Sequence, residues 1–159
     1  MILVTHAVVG AALTHTISGA LGAFFVAFAS HYIFDMIPHW HYSVPQVKRA
    51  TEAPFGKRAL VLGGHIMPDL IRIAVDASLG MTLALVFFKG SVIFIAAAAF
   101  GAMLPDFLVG LAKFYPQRVL VWHDRFHRWI HTPVRLDDRP LLGITTQAAL
   151  IAFCIFFFR

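Results

Sequence analysis

The sequence predicts an all-α fold: a polytopic membrane helix bundle of about five membrane-embedded helices plus one interfacial amphipathic helix, with residues 1–159 forming a single domain. Three observations predict it. Apolar residues make up 59% of the 159-residue chain and charged residues only 13%, about half the ~25% usual in soluble domains. Mean hydropathy is +0.76, and a soluble domain this small has too much surface to hide that much apolar material. The apolar runs are also separated by basic segments, the pattern that a cytoplasmic bias of Lys and Arg produces.

Residues 1–16, MILVTHAVVGAALTHT, are apolar and small. They fall short of the ~20 residues needed to cross a bilayer, which predicts a short helix inserted part-way, with His6 near its start and His15 near its end. No positive n-region precedes them, so the N-terminus is expected to stay as structure rather than leave as a signal peptide. Ser18-Gly19 offers a break. Gly19 to Met36 is the first strong helix, small on one side (Gly19, Gly22, Ala23, Ala27, Ser30), which lets neighbouring helices approach closely. Pro38 ends it, because the residue before a proline is biased out of the helical region.

Residues 43–58, with Pro45, Lys48, Arg49, Glu52, Pro54, Lys57 and Arg58, read as an aqueous loop, and residues 59–64 as a brief apolar approach ending in a Gly pair. Pro68 suits the first turn of a helix, and Asp69 in the same turn is favoured by the helix dipole. That helix runs to about Phe88 and carries Arg72 and Asp76. After the turn at Lys89-Gly90-Ser91, Val92 to Phe114 forms the next span, interrupted by Pro105-Asp106. A proline inside a membrane helix is tolerated where neighbours or water satisfy the freed backbone groups. Residues 118–131, RVLVWHDRFHRWIH, mix aromatics with Arg and His and predict the amphipathic interfacial helix. Asp137 to Pro140 is a loop, and Leu141 to Phe158 is the last span.

Topology gathers the polar residues. Both basic segments, 43–58 and 113–140, belong on the cytoplasmic side, with two crossings between them. His31, Asp35 and His39 then share a level with His65, Asp69, Asp76, Asp106, His123, His127 and His131. His6 joins them if the first helix enters from the cytoplasm. The expected location is the inner (plasma) membrane, multi-pass, with the basic loops and the polar cluster on the cytoplasmic side. The net charge of +5 sits in connecting segments, so membrane lipids and not nucleic acid are the expected partners. The single Cys154 cannot form an intrachain disulfide.

His31 and Asp35 are four residues apart and share one helix face, so they can share one metal ion. Zinc, manganese and iron accept imidazole and carboxylate ligands together, with zinc the first expectation, and two such ions can activate a water and clamp a phosphoryl group. The plainer alternative is a capped helix end with His31 facing the interface. Asp76 is deep enough in its helix to need a partner, either an ion or Arg72. Asp106 after Pro105 would be costly unpaired. His123, His127 and His131 form a slowly drifting stripe, with His127 and His131 able to ligate one ion. Alternatively, the stripe is the polar face of a surface helix. His39 and His41 flank Trp40 in an expected interfacial loop, where such residues are common without function, which leaves His39 as an accessory candidate. His15 and His65 read as structural. Arg128, with Arg125 or Arg72, would hold phosphate or meet anionic headgroups.

Thr5-His6, SHYIFDMIPHW at 30–40, the LPD at Leu104 and HRWIHTP at His127 together resemble the bacterial membrane-bound metal-dependent hydrolases, a family typified by a LexA-regulated inner-membrane protein. The His-x3-Asp element is more distantly similar to the helical zinc-dependent phospholipase C fold. The resemblance implies a helical metal site and hydrolytic chemistry, and carries over to His6, His31, Asp35, Asp106, His127 and His131. The chain departs from the family at Phe107-Leu108, where a second acid is common, and at Trp129-Ile130-His131, where a Gly and a Thr-His are common. The expected function is metal-dependent hydrolysis of a phosphoester in a lipid or lipid-linked substrate, with Asp35, Asp106 and Arg128 catalytic and His6, His31, Asp35, Asp76, Asp106, His127 and His131 as metal ligands. The alternative is a non-enzymatic metal-binding or transport protein, or a membrane scaffold.

Overall fold

The computed structural model describes residues 1–54, 57, 66–134 and 136–159. His65, the apolar approach at 59–64 and the side chain of His15 lie outside the described residues. Among the described residues the fold is all-α: α1 (Leu3–Ala12), tightening into a 3-10 turn (Leu13–Thr16), α2 (Ala20–Asp35), α3 (Pro45–Glu52), α4 (Met67–Phe87), α5 (Val92–Phe114), α6 (Arg118–Ile130) and α7 (Pro140–Phe158).

Three helices, α4, α5 and α7, are long and apolar enough to cross a membrane, at 21, 23 and 19 residues. α1 and α2 are apolar but shorter, with 10 and 16 residues. At 1.5 Å per residue they reach about 15 and 24 Å, less than the ~30 Å hydrocarbon thickness. Three long spans and two short apolar helices thus stand where about five membrane-embedded helices were expected.

α1 is the hub. Val4 through Ala12 are all buried, and its Ala7, Val8 and Ala11 pack with Ala84, Ile95, Ala99 and Cys154. α2 lies along α5 through a seam of small residues, Ala23, Ala27, Ala98 and Ala102. Gly101 is required in that seam, because a Cβ there would meet the Phe24 carbonyl oxygen at 2.5 Å. The large apolar side chains instead face outward, among them Leu21, Phe25, Ile71, Val86, Ile93 and Phe156. A small-residue interior under a large-residue exterior is how helices pack when lipid is the solvent.

Two carboxylates serve as helix caps across the bundle. The amides of Leu3 and Val4, at the start of α1, donate to Asp76 Oδ2 and Oδ1 at 2.8 and 3.0 Å. The amides of Gln46 and Val47, at the start of α3, donate to Asp69 Oδ2 at 2.7 and 3.0 Å. Segment 43–58 reads as loop from its composition, yet Pro45–Glu52 is helical. Its cap comes from α4, so the stabilising anion is not visible in the local sequence.

Candidate metal centre

The end of α2 meets α1, α5 and α6 at a buried polar cluster. His31 and Asp35 project from the last turn of α2. His31 Nδ1 lies 2.8 Å from the carbonyl oxygen of Ala102 on α5. A carbonyl can only accept, so Nδ1 carries a hydrogen and the ring turns its Nε2 edge inward. A metal-ligating histidine is commonly oriented this way by the bond at its other nitrogen. Pro105 has no amide hydrogen to give to the turn before it, and Asp106, the next residue of α5, reaches the same space, with Oδ1 3.8 Å from His31 Nε2.

Around Asp35 the polar atoms converge. His6 Nε2 is 3.1 Å from Asp35 Oδ1, while His31 Nε2 and His127 Nε2 are 3.2 and 3.3 Å from Oδ2. His127 Nε2 also lies 3.4 Å from Asp106 Oδ1, and the His31 and His127 Nε2 atoms stand 2.9 Å apart. One ligand atom from each of His31, Asp35, Asp106 and His127 lies within 4.8 Å of all the others. The rings of His6 and His31 stack at 3.9 Å.

The contacts are close but badly aligned. Asp35 Oδ2 and His6 Nε2 are buried and complete no hydrogen bond among the described residues. Leaving such atoms unsatisfied costs ~1–3 kcal/mol each, and more when charged. Ligands held tetrahedrally at ~2.0–2.2 Å from one ion stand about 3.3 Å from each other, close to the spacings seen here. The buried His/Asp donor set fits a divalent ion.

His127 belongs to α6, whose two faces differ. His123, Asp124 and His127 are buried, while Val119, Trp122 and Trp129 are exposed. The histidine stripe therefore faces the bundle and is not a solvated surface. Burial pushes the His127 imidazole down, but the carboxylates of Asp106 and Asp35 outweigh it and lift its pKa to about 9. The Tyr32 hydroxyl lies 2.8 Å from His123 Nε2, so α2 and α6 are also tied beside the cluster.

The other candidates fall elsewhere. Asp76 is not gathered with the cluster, because both its oxygens accept from the start of α1. Asp69 is engaged with α3 and with Arg72, 3.5 Å away. The Arg128 side chain is 65% exposed and its guanidinium pairs with Asp124 at 2.9 Å, an i,i+4 partnership that the sequence spacing already allowed. His131 Nε2 is 3.9 Å from Asp35 Oδ2, but its nearer neighbour is His41 Nε2 at 3.3 Å. It thus groups with His39 and His41 and not with His127.

His39 and His41 are the residues that sequence reasoning undervalued. They are two apart in an extended segment, and that spacing points both side chains to one face. Burial pushes His39 down to about 3 and lowers His41 and His131 as well. The Met1 ammonium reaches this region, donating to Asp35 Oδ1 at 2.8 Å as a buried ion pair and lying 2.6 Å from His39 Nε2 and 3.4 Å from His41 Nε2.

Compared with protein-family models, curated proteins and solved structures, the chain matches none.

Proposed function

We propose that the chain is a metal-dependent hydrolase of the inner membrane, acting at the cytoplasmic face on a phosphoester of a lipid or lipid-linked substrate. The observation that carries the metal reading is Asp35: a buried carboxylate with an unsatisfied oxygen, facing the nitrogens of His6, His31 and His127. The motif resemblance to membrane-bound metal-dependent hydrolases supports the reaction class. The outward Trp122 and Trp129 on α6 support a site level with the headgroups, where such aromatics anchor.

His6, His31, Asp35, Asp106 and His127 would hold the ion, with zinc the first choice for this donor set. When bound, such an ion supplies Lewis acidity toward a phosphoryl oxygen and acidifies a water. Hydrolysis forms a P–O bond from water and breaks the ester P–O bond. Asp106, 29% exposed at its side chain, is the carboxylate open to the outside. It accepts the water's proton and returns it to the departing oxygen. Arg125 and Arg128, both exposed on α6, are available to a phosphate at the headgroup level. Purified protein loaded with zinc or manganese is expected to cleave a lipid phosphoester in a broad panel, and loss of that activity in Asp35→Asn assigns it to the centre. Turnover of nothing in the panel would sink the hydrolase reading.

A second reading, non-enzymatic metal binding or transport, draws on one observation: Arg128 is held by Asp124 and turned outward. In that case metal binds, Asp35→Asn abolishes binding, and no phosphoester is cleaved by either protein.

A further inference from the structure

We infer that His39, His41 and His131 form a second, outer metal site that shares Asp35 with the inner centre. This rests on the metal reading above and assigns ligands to a second ion.

Each of the three rings is tethered through its Nδ1. His39 Nδ1 donates to the Ile37 carbonyl oxygen at 2.6 Å, His41 Nδ1 to Asp137 Oδ1 at 3.3 Å, and His131 Nδ1 to the Thr132 carbonyl oxygen at 3.1 Å. Carbonyl and carboxylate oxygens accept, so each Nδ1 carries a hydrogen and each ring turns its Nε2 edge toward the others. Three Nε2 atoms therefore face one another, His39 to His41 at 2.9 Å and His131 to His41 at 3.3 Å. Ring nitrogens this close need a cation among them: the Met1 ammonium stands 2.6 Å from His39 Nε2 and 3.4 Å from His41 Nε2, and a metal ion would take its place, since imidazoles that share one tetrahedral ion stand about 3.3 Å apart.

The backbone holds this arrangement in place. The Thr132 amide donates to the Asp35 carbonyl oxygen at 3.0 Å, and the Leu136 amide to the His39 carbonyl oxygen at 3.2 Å. These bonds strap the segment after α6 alongside the segment after α2. Asp35 faces both groups of histidines, with Oδ1 3.7 Å from His39 Nε2 and Oδ2 3.9 Å from His131 Nε2. A carboxylate between two sets of imidazoles is the arrangement that bridges paired ions. Exposure separates the two sites. The His31 side chain is fully buried, whereas that of His41 is 34% exposed. The outer ion is therefore the exchangeable one.

The test is cobalt(II) titration of the untagged, full-length, metal-stripped protein in detergent, followed by visible absorption. Wild type is expected to take up two equivalents, one of which a brief chelator wash removes. His41→Ala is expected to take up one, resistant to the same wash. Asp137→Asn, a milder change outside the ligand set, is expected to weaken the exchangeable ion about tenfold or more and leave the other unchanged. One equivalent in both wild type and His41→Ala would overturn the outer site and leave the inner centre standing. Two equivalents retained by His41→Ala would also overturn it. No uptake by wild type would overturn both.

Discussion

Asp35 is buried, and its two oxygens differ: Oδ1 is paired with the Met1 ammonium at 2.8 Å, while Oδ2, facing His31 and His127, completes no hydrogen bond among the described residues. A metal ion would give Oδ2 and the imidazole nitrogens around it one common partner. Exchanging Asp35 for Asn keeps the volume and removes the charge. Metal content is expected to fall close to zero, and activity by ~100-fold or more, with helical circular dichroism unchanged. Collapse of the helical signal would instead make Asp35 a folding residue. His127 sets the pH dependence. Without an ion it holds its proton up to about pH 9, and a ligand nitrogen must be free of its proton. Affinity for cobalt(II) is therefore expected to rise with pH toward about 9, by at most ~10-fold per unit for this one proton, and then level off. Affinity flat across that range would remove His127 from the ligand set.

Helix packing sets the ligand geometry, because no two of α1, α2, α5 and α6 carry the whole site. Gly101 holds α2 against α5. Gly101→Ala would bring a Cβ to 2.5 Å from the Phe24 carbonyl oxygen, and backbone cannot yield as a flexible side chain does. Thermal unfolding should report a loss of ~1–3 kcal/mol, with weaker metal binding as His31 and Asp106 separate. Asp76→Asn tests the opposite case. Its cap on α1 is worth about 1 kcal/mol, so stability should fall slightly while metal stoichiometry stays the same. Loss of an ion would return Asp76 to the ligand set. The long spans were legible in the sequence because apolar length alone marks α4, α5 and α7. So was the proximity of His31 to Asp35, fixed by helical spacing. The capping roles of Asp76 and Asp69 were not, since each serves a helix far away in sequence. The grouping of His131 with His41 was also hidden, because it depends on how the chain leaves α6 and straps back beside α2.

At the scale of the whole molecule, small residues fill the interior and large apolar residues face out. Such an exterior suits lipid and not water, so the protein is expected to stay with the membrane pellet through an alkaline carbonate wash. Release into the supernatant would contradict the bundle reading. Among the described residues the same architecture brings His6 of α1, His31 and Asp35 of α2, Asp106 of α5 and His127 of α6 together at a polar junction. A metal ion at that junction is the central claim, and the most direct test is elemental analysis of the untagged protein purified from membranes, intact and as Asp35→Asn. The structure predicts at least one divalent transition-metal ion per chain in the intact protein and its loss in the variant. Intact protein free of such metal, or a variant that holds as much as the intact protein, would contradict it.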